Sequence, residues 1–119
     1  MEILNWDNVR EERMNDHLTR WAIHTPQMTI AKLHLKKGAF VPMHSHANAQ
    51  TTWIQTGALL FKFATPEGEV EVIVRNGDVL PIPPDLPHSA EALEDTTAVD
   101  TFMPQRQDWI DGTDAYLRK

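Results

Sequence analysis

From Met28 onward the chain is cut by proline and glycine into segments too short for ordinary helices, and this constrains its fold more than any other feature. Pro42, Gly57, Pro66-Glu67-Gly68, Asn76-Gly77 and the cluster Pro81, Pro83, Pro84, Pro87 each mark a turn or break. Between them lie alternating or β-rich runs at Met28–Leu35, Gln50–Thr56, Ala58–Ala64, Val70–Val74, Val79–Ile82, Ser89–Leu93 and Ala98–Met103. Pro66-Glu67-Gly68 reads as a hairpin turn, and Asn76-Gly77-Asp78 as a second tight turn. Many short strands at this spacing predict an all-β protein, an antiparallel barrel or double-sheet jelly roll. Helix is expected only at the ends, over Asp7–Arg13 and, as a short broken segment, over Gln107–Leu117. With 119 residues and no repeat, linker or low-complexity stretch, residues 1–119 read as a single domain.

Composition removes whole classes of function. There is no cysteine, so disulfide frameworks, thiolate metal sites and thiol nucleophiles are excluded. Eleven basic residues against 17 acidic ones give a net charge of −6, and the sequence pI is about 5.4. A nucleic-acid binder would carry a basic patch, so no nucleic-acid partner is expected. Apolar runs such as Val79–Pro84 are far shorter than the roughly 20 residues of a membrane span, and the start Met1-Glu2-Ile3-Leu4-Asn5 does not read as a signal peptide. No membrane partner and a cytoplasmic location are therefore expected. Four tryptophans in so short a chain suit a subunit interface as well as a core, and a homodimer is expected.

The six histidines are placed unevenly. His44 and His46 stand two apart, so on an extended strand both leave the same face, and Gln50 has the same parity. His88 follows the rigid Pro83-Pro84-Asp85-Leu86-Pro87 turn. Three neutral nitrogens and an amide oxygen suit one divalent transition ion (Zn, Ni, Mn or Fe) better than calcium or magnesium. His34 shares parity with Lys32 and Lys36 and is read as outward-facing, and His17 and His24 are left to the surface or an interface.

These spacings resemble the cupin superfamily. Its first motif is matched by Gly38, His44, His46, Gln50 and Gly57, with Gln50 where glutamate is commoner. Its second is matched by Gly77, Pro83 and His88, with Asp85 where the motif has glycine and Ala92 where it has asparagine. The resemblance implies a double-stranded β-helix, a jelly-roll barrel holding a metal near its interior mouth. The tail is similar, more narrowly, to the KdgF-type cupins of pectin degradation, in which Asp100, Phe102 and Arg106 match three functional positions; the likeness covers roughly residues 28–119.

That second resemblance implies an enzyme converting 4,5-unsaturated monouronates to linear 5-keto-4-deoxyuronates, with an anionic sugar acid as its small-molecule substrate. In this reading the metal is a Lewis acid and Asp100 moves the proton. Arg106, on the rim beyond Pro104, grips the substrate carboxylate by two hydrogen bonds, and Phe102 supports a sugar face. Trp53 and Gln55, which share parity with each other, are expected to line the cavity, the indole narrowing it. The structural alternatives are core packing for Phe102 and Trp53, a strand-end role for Asp100, and a surface ion pair of Arg106 with Asp108 or Asp111. Two other functions stay open: a different metal-dependent cupin enzyme, of dioxygenase or polyketide-cyclase type, and a non-catalytic ligand-binding module.

Overall fold

Ten strands run through the computed structural model, which describes residues 1–119. They are β1 (Glu11–Asn15), β2 (Leu18–His24), β3 (Thr29–Leu35), β4 (Phe40–His44), β5 (Ala49–Thr56), β6 (Ala58–Thr65), β7 (Gly68–Arg75), β8 (Val79–Ile82), β9 (His88–Ala92) and β10 (Thr96–Met103). They form a six-stranded sheet in the order β1-β2-β3-β10-β5-β8 and a four-stranded sheet in the order β4-β9-β6-β7. Every pairing is antiparallel. The architecture is the all-β double-sheet jelly roll that the turn spacing predicts.

Alternation along the strands decides which side chains meet between the sheets. On β10, Thr96, Ala98, Asp100 and Phe102 are buried while Thr97, Val99 and Thr101 are half-exposed. Ala31, Leu35, Ile54 and Ala98 from the larger sheet pack with Leu59, Phe61, Phe63, Val74, Ala90 and Ala92 from the smaller one in a single apolar cluster. Asp100 pairs in register with Ala31 on one side and Thr52 on the other. The small methyl and short hydroxyl beside it leave room next to the carboxyl, where the site forms.

The first 24 residues depart from expectation. In place of a helix over Asp7–Arg13 there is a 3₁₀ turn at Trp6–Asn8, capped by Asn5, followed by the β1–β2 hairpin at the edge of the larger sheet. The run Glu11-Glu12-Arg13 hides the strand because its charges do not alternate with apolar residues, and because Arg20 faces inward. Arg20 is 1% exposed, bonded to Glu12 and Asp114, and stacked on Trp109 at 4.1 Å. The strand β4 is also unforeseen. It contains Pro42, which a sheet tolerates at an edge, and β4 is an edge strand.

The C-terminal segment is the short broken helix expected: α1 (Gln107–Asp111), then a 3₁₀ turn at Ala115–Leu117. Gly112, with φ of 74°, ends α1 in the left-handed conformation that favours glycine. Arg20 holds Asp114 at 2.8 Å, and Asn15 donates to the Leu117 carbonyl at 3.3 Å, so the segment is anchored to the β1–β2 hairpin. No helix is long and apolar enough to cross a membrane.

Candidate metal centre

His44, His46 and His88 come from two separate stretches of the chain. His44 ends β4; His46 lies just beyond it in the β4–β5 loop; His88 opens β9 and pairs with His44 in register. His46 therefore lies just past the strand that the parity reading assumed, yet its ring converges with that of His44 as expected, the centroids 5.6 Å apart. Asp85 ties down the His46 loop by donating its backbone N–H to the His46 carbonyl at 2.8 Å. One ring nitrogen from each histidine lies within 4.8 Å of the others. Nitrogens bound about 2.1 Å from one ion stand up to about 4.2 Å apart, so the three rings need only close in by a few tenths of an ångström to share a single ion.

All three rings are oriented by the same device. Nδ1 of His44 faces the Pro42 carbonyl at 2.8 Å, Nδ1 of His46 the Asn48 carbonyl at 3.1 Å, and Nδ1 of His88 the Leu86 carbonyl at 2.8 Å. A carbonyl oxygen only accepts, so each Nδ1 carries the proton and each Nε2 keeps a free lone pair. This is the arrangement that readies an imidazole for a metal. Burial reinforces it by disfavouring the imidazolium: the His44 pKa falls to about 4, and those of His46 and His88 are also lowered. The residues thus fit a divalent transition ion.

Behind the histidines, Asp100 and Phe102 project inward from β10, and Gln50 and Thr52 from β5. Gln50 Oε1 lies 3.1 Å from His46 Nε2, Gln50 Nε2 donates to Thr52 at 2.9 Å, and Thr52 donates to Asp100 Oδ1 at 2.7 Å. Burial pushes the Asp100 carboxyl up to about 6, against the opposing pull of the Thr52 hydroxyl and the Arg106 charge. Phe102 sits edge-on to His46, with centroids 5.7 Å apart. These groups line one interior cavity of about 60 Å³ together with Arg106 and Tyr116.

Two expectations about placement are overturned. Trp53 and Gln55 are exposed on β5, because the alternation that turns Gln50, Thr52 and Ile54 inward turns odd-numbered residues out; Trp53 is 44% exposed. Arg106 is not on the rim but 2% exposed, with its guanidinium over Phe102 at 4.7 Å and Trp109 at 4.6 Å. Its Nε and Nη2 form a two-bond pair with Asp108 at 3.0 and 2.9 Å, and Nη2 also donates to the Tyr116 hydroxyl at 2.6 Å. Burial alone would lower the Arg106 pKa, but Asp108 and Tyr116 outweigh it, so the guanidinium stays charged. Nη1 is the guanidinium nitrogen left without a partner, so the two-bond carboxylate grip predicted for this fork is already taken by Asp108. His34 is exposed, as its parity predicts, and its ring meets Trp21 edge-on at 4.9 Å.

Thr52 and Tyr116 were missed. Thr52 shares parity with Gln50 and stood open to the same argument. Tyr116, its ring 4.8 Å from that of His44, arrives by the path of the C-terminal segment, which no periodicity reveals.

Fold and site together define a jelly-roll protein with an inward-facing histidine cluster able to hold one divalent ion. More particularly, residues 16–108 match the family model described as Cupin, and the chain belongs to the cupin family. Among solved structures it is similar to an RmlC-like cupin from Shewanella frigidimarina, at 23% identity and TM-score 0.81 over 92% of this chain and 96% of that one. It is also similar to KdgF from Halomonas sp., at 24% identity and TM-score 0.76 over 87% and 94% of the two chains. A third likeness is to Bacillus subtilis oxalate decarboxylase, described for its Mn(II) centres, at 20% identity and TM-score 0.75 over 90% of this chain and 33% of that one. At these identities the likeness is one of fold. No curated protein sequence matches.

Proposed function

We propose that the protein is a metal-dependent enzyme that opens 4,5-unsaturated monouronates to linear 5-keto-4-deoxyuronates, its ion held by His44, His46, His88 and Gln50. The observation that carries this reading is the placement of Asp100: a buried carboxyl whose pKa burial raises to about 6, on the same strand face as Phe102 and sharing a cavity with His44, His88 and Gln50. The reaction is a net isomerisation. The anomeric hydroxyl loses its proton as the C1 carbonyl forms and the ring C1–O bond breaks, and C4 takes up a proton as the C5 keto group forms.

Asp100 suits both transfers, accepting the first proton as a carboxylate and returning one to C4 as a carboxylic acid. A bound divalent ion supplies positive charge at the substrate oxygens. Phe102 walls the cavity beside Asp100 and keeps its surroundings poor in water. Arg106 contributes its charge, and Nη1 is the nitrogen it has free for a substrate carboxylate. An amide at position 50 in place of a carboxylate leaves the donor set neutral, which favours Lewis-acid work.

A second reading is metal-dependent chemistry on a two- or three-carbon carboxylic acid, and the cavity favours it. At about 60 Å³ it is small beside the pockets of several hundred Å³ that take larger ligands.

The test follows the ultraviolet absorbance of an unsaturated galacturonate in the presence of Zn²⁺-loaded protein. Acceleration over the spontaneous rate, without oxygen and abolished by Asp100→Asn, is expected. Turnover that needs oxygen and ignores Asp100→Asn would assign an oxygenase instead. Binding without turnover would leave a ligand-binding module.

A further inference from the structure

The polar chain from Asp100 to His46 has a direction that only one residue sets. A carboxylate accepts and does not donate, so the single proton of the Thr52 hydroxyl lies on its 2.7 Å bond to Asp100. With that proton committed, the Thr52 oxygen presents only lone pairs to Gln50, and the Gln50 group facing it at 2.9 Å must be the amide NH₂. The amide oxygen is thereby turned the other way, toward His46. There it meets Nε2 at 3.1 Å, and that nitrogen has no proton to offer, because the His46 proton sits on Nδ1 against the Asn48 carbonyl. Two acceptors facing each other this closely repel unless a metal cation, or a second proton on the ring, lies between their lone pairs. Two ligands at right angles about one ion, each about 2.1 Å from it, stand about 3.0 Å apart.

We propose that Thr52 is a positioning residue for the metal centre, passing the polarity of Asp100 to Gln50 so that the Gln50 oxygen, and not its NH₂, faces the histidines. Without this constraint the amide is free to rotate by half a turn and donate an N–H to His46 Nε2, which removes one ligand and occupies the lone pair of another. Thr52 touches neither the ion nor the substrate; it acts through Gln50. The inference rests on the reading of His44, His46, His88 and Gln50 as the donor set, and it adds a reason why a neutral amide serves there.

The test is Co²⁺ titration of chelator-stripped protein, read by the visible absorption of the bound ion, on the wild type, Thr52→Val and Thr52→Ser. Valine keeps the shape of threonine and removes the hydroxyl. Thr52→Val is expected to bind Co²⁺ about 10- to 100-fold more weakly with an altered spectrum, the usual scale for losing a group behind a metal ligand, and Thr52→Ser to bind within a few-fold of wild type. A carboxylate at position 50 presents an oxygen either way round. In a Gln50→Glu background, therefore, adding Thr52→Val should leave Co²⁺ affinity unchanged, an outcome that loss of packing would not give. Equal Co²⁺ affinity and spectrum in wild type and Thr52→Val overturn the role of Thr52 while leaving the metal centre intact. If Thr52→Val does not fold, Thr52→Ser and Thr52→Ala are compared, with binding restored only by serine as the supporting result and equal binding as the overturning one. No Co²⁺ binding by the wild type removes the metal reading itself.

Discussion

Asp100 carries a cost that its surroundings only partly offset. Removed from water between Ala31 and Thr52, its carboxylate keeps one short bond to the Thr52 hydroxyl and the influence of the Arg106 charge. The folded value of about 6 lies above that of an unfolded chain, so the carboxyl contributes stability below about pH 4 that is lost as the pH rises through 6. Two outcomes are expected for metal-free protein. The Asp100 carboxyl carbon should titrate by NMR with a midpoint near 6, and Thr52→Val should move that midpoint upward, because the lost hydrogen bond favours the charged form. A midpoint near 4, or no movement on Thr52→Val, would mean that the carboxyl is solvated. In the same samples, the stability of Asp100→Asn relative to wild type should improve between pH 4 and pH 7.

At the scale of elements, the site depends on turns whose backbone excludes most side chains. Gly57 joins β5 to β6 with φ of 101°, and a Cβ there would lie 2.5 Å from the Asp95 carbonyl oxygen and 2.7 Å from the Thr96 Cα. Gly77, at φ of 86°, faces open space. Gly57→Ala therefore forces backbone apart as well as straining φ, whereas Gly77→Ala meets only the left-handed penalty of about 1–2 kcal/mol. Chemical denaturation should rank Gly57→Ala well below Gly77→Ala, and equal losses would contradict the close approach. Asp85 is the non-glycine residue with positive φ, at 65°, and it stands where the cupin motif has glycine. Asp85→Gly should be neutral or stabilising by up to about 1 kcal/mol in the same experiment, whereas a β-branched residue at 85 should destabilise. This turn matters to the site because the Asp85 N–H holds the His46 loop against the segment that leads into His88.

For the molecule as a whole, local spacing made part of the structure legible in the sequence. The proline and glycine breaks give the strands from β5 to β10 within a few residues, and the shared parity of Asp100 and Phe102 puts both on one face, which the structure turns inward. The two cupin motifs bring the histidines together, although His46 lies beyond the end of the strand that carries His44. The features that stayed hidden depend on long-range contact. Arg20 reads as a surface charge until Asp114, 94 positions away, is placed against it at 2.8 Å. Arg106 is a local case: its pairing with Asp108, two positions on, is one of the alternatives the sequence offers, and only its burial, at 2% exposed, needs the fold. Trp53 needed only the correct register on β5 to be turned outward. One ion among His44, His46, His88 and Gln50 is what the proposed chemistry requires, and elemental analysis of protein purified without chelator tests it most directly. One divalent transition ion per chain is expected in the wild type and none in His44→Ala/His88→Ala. No such ion in the wild type even after dialysis against Zn²⁺ or Mn²⁺, or the same content in both proteins, would contradict it.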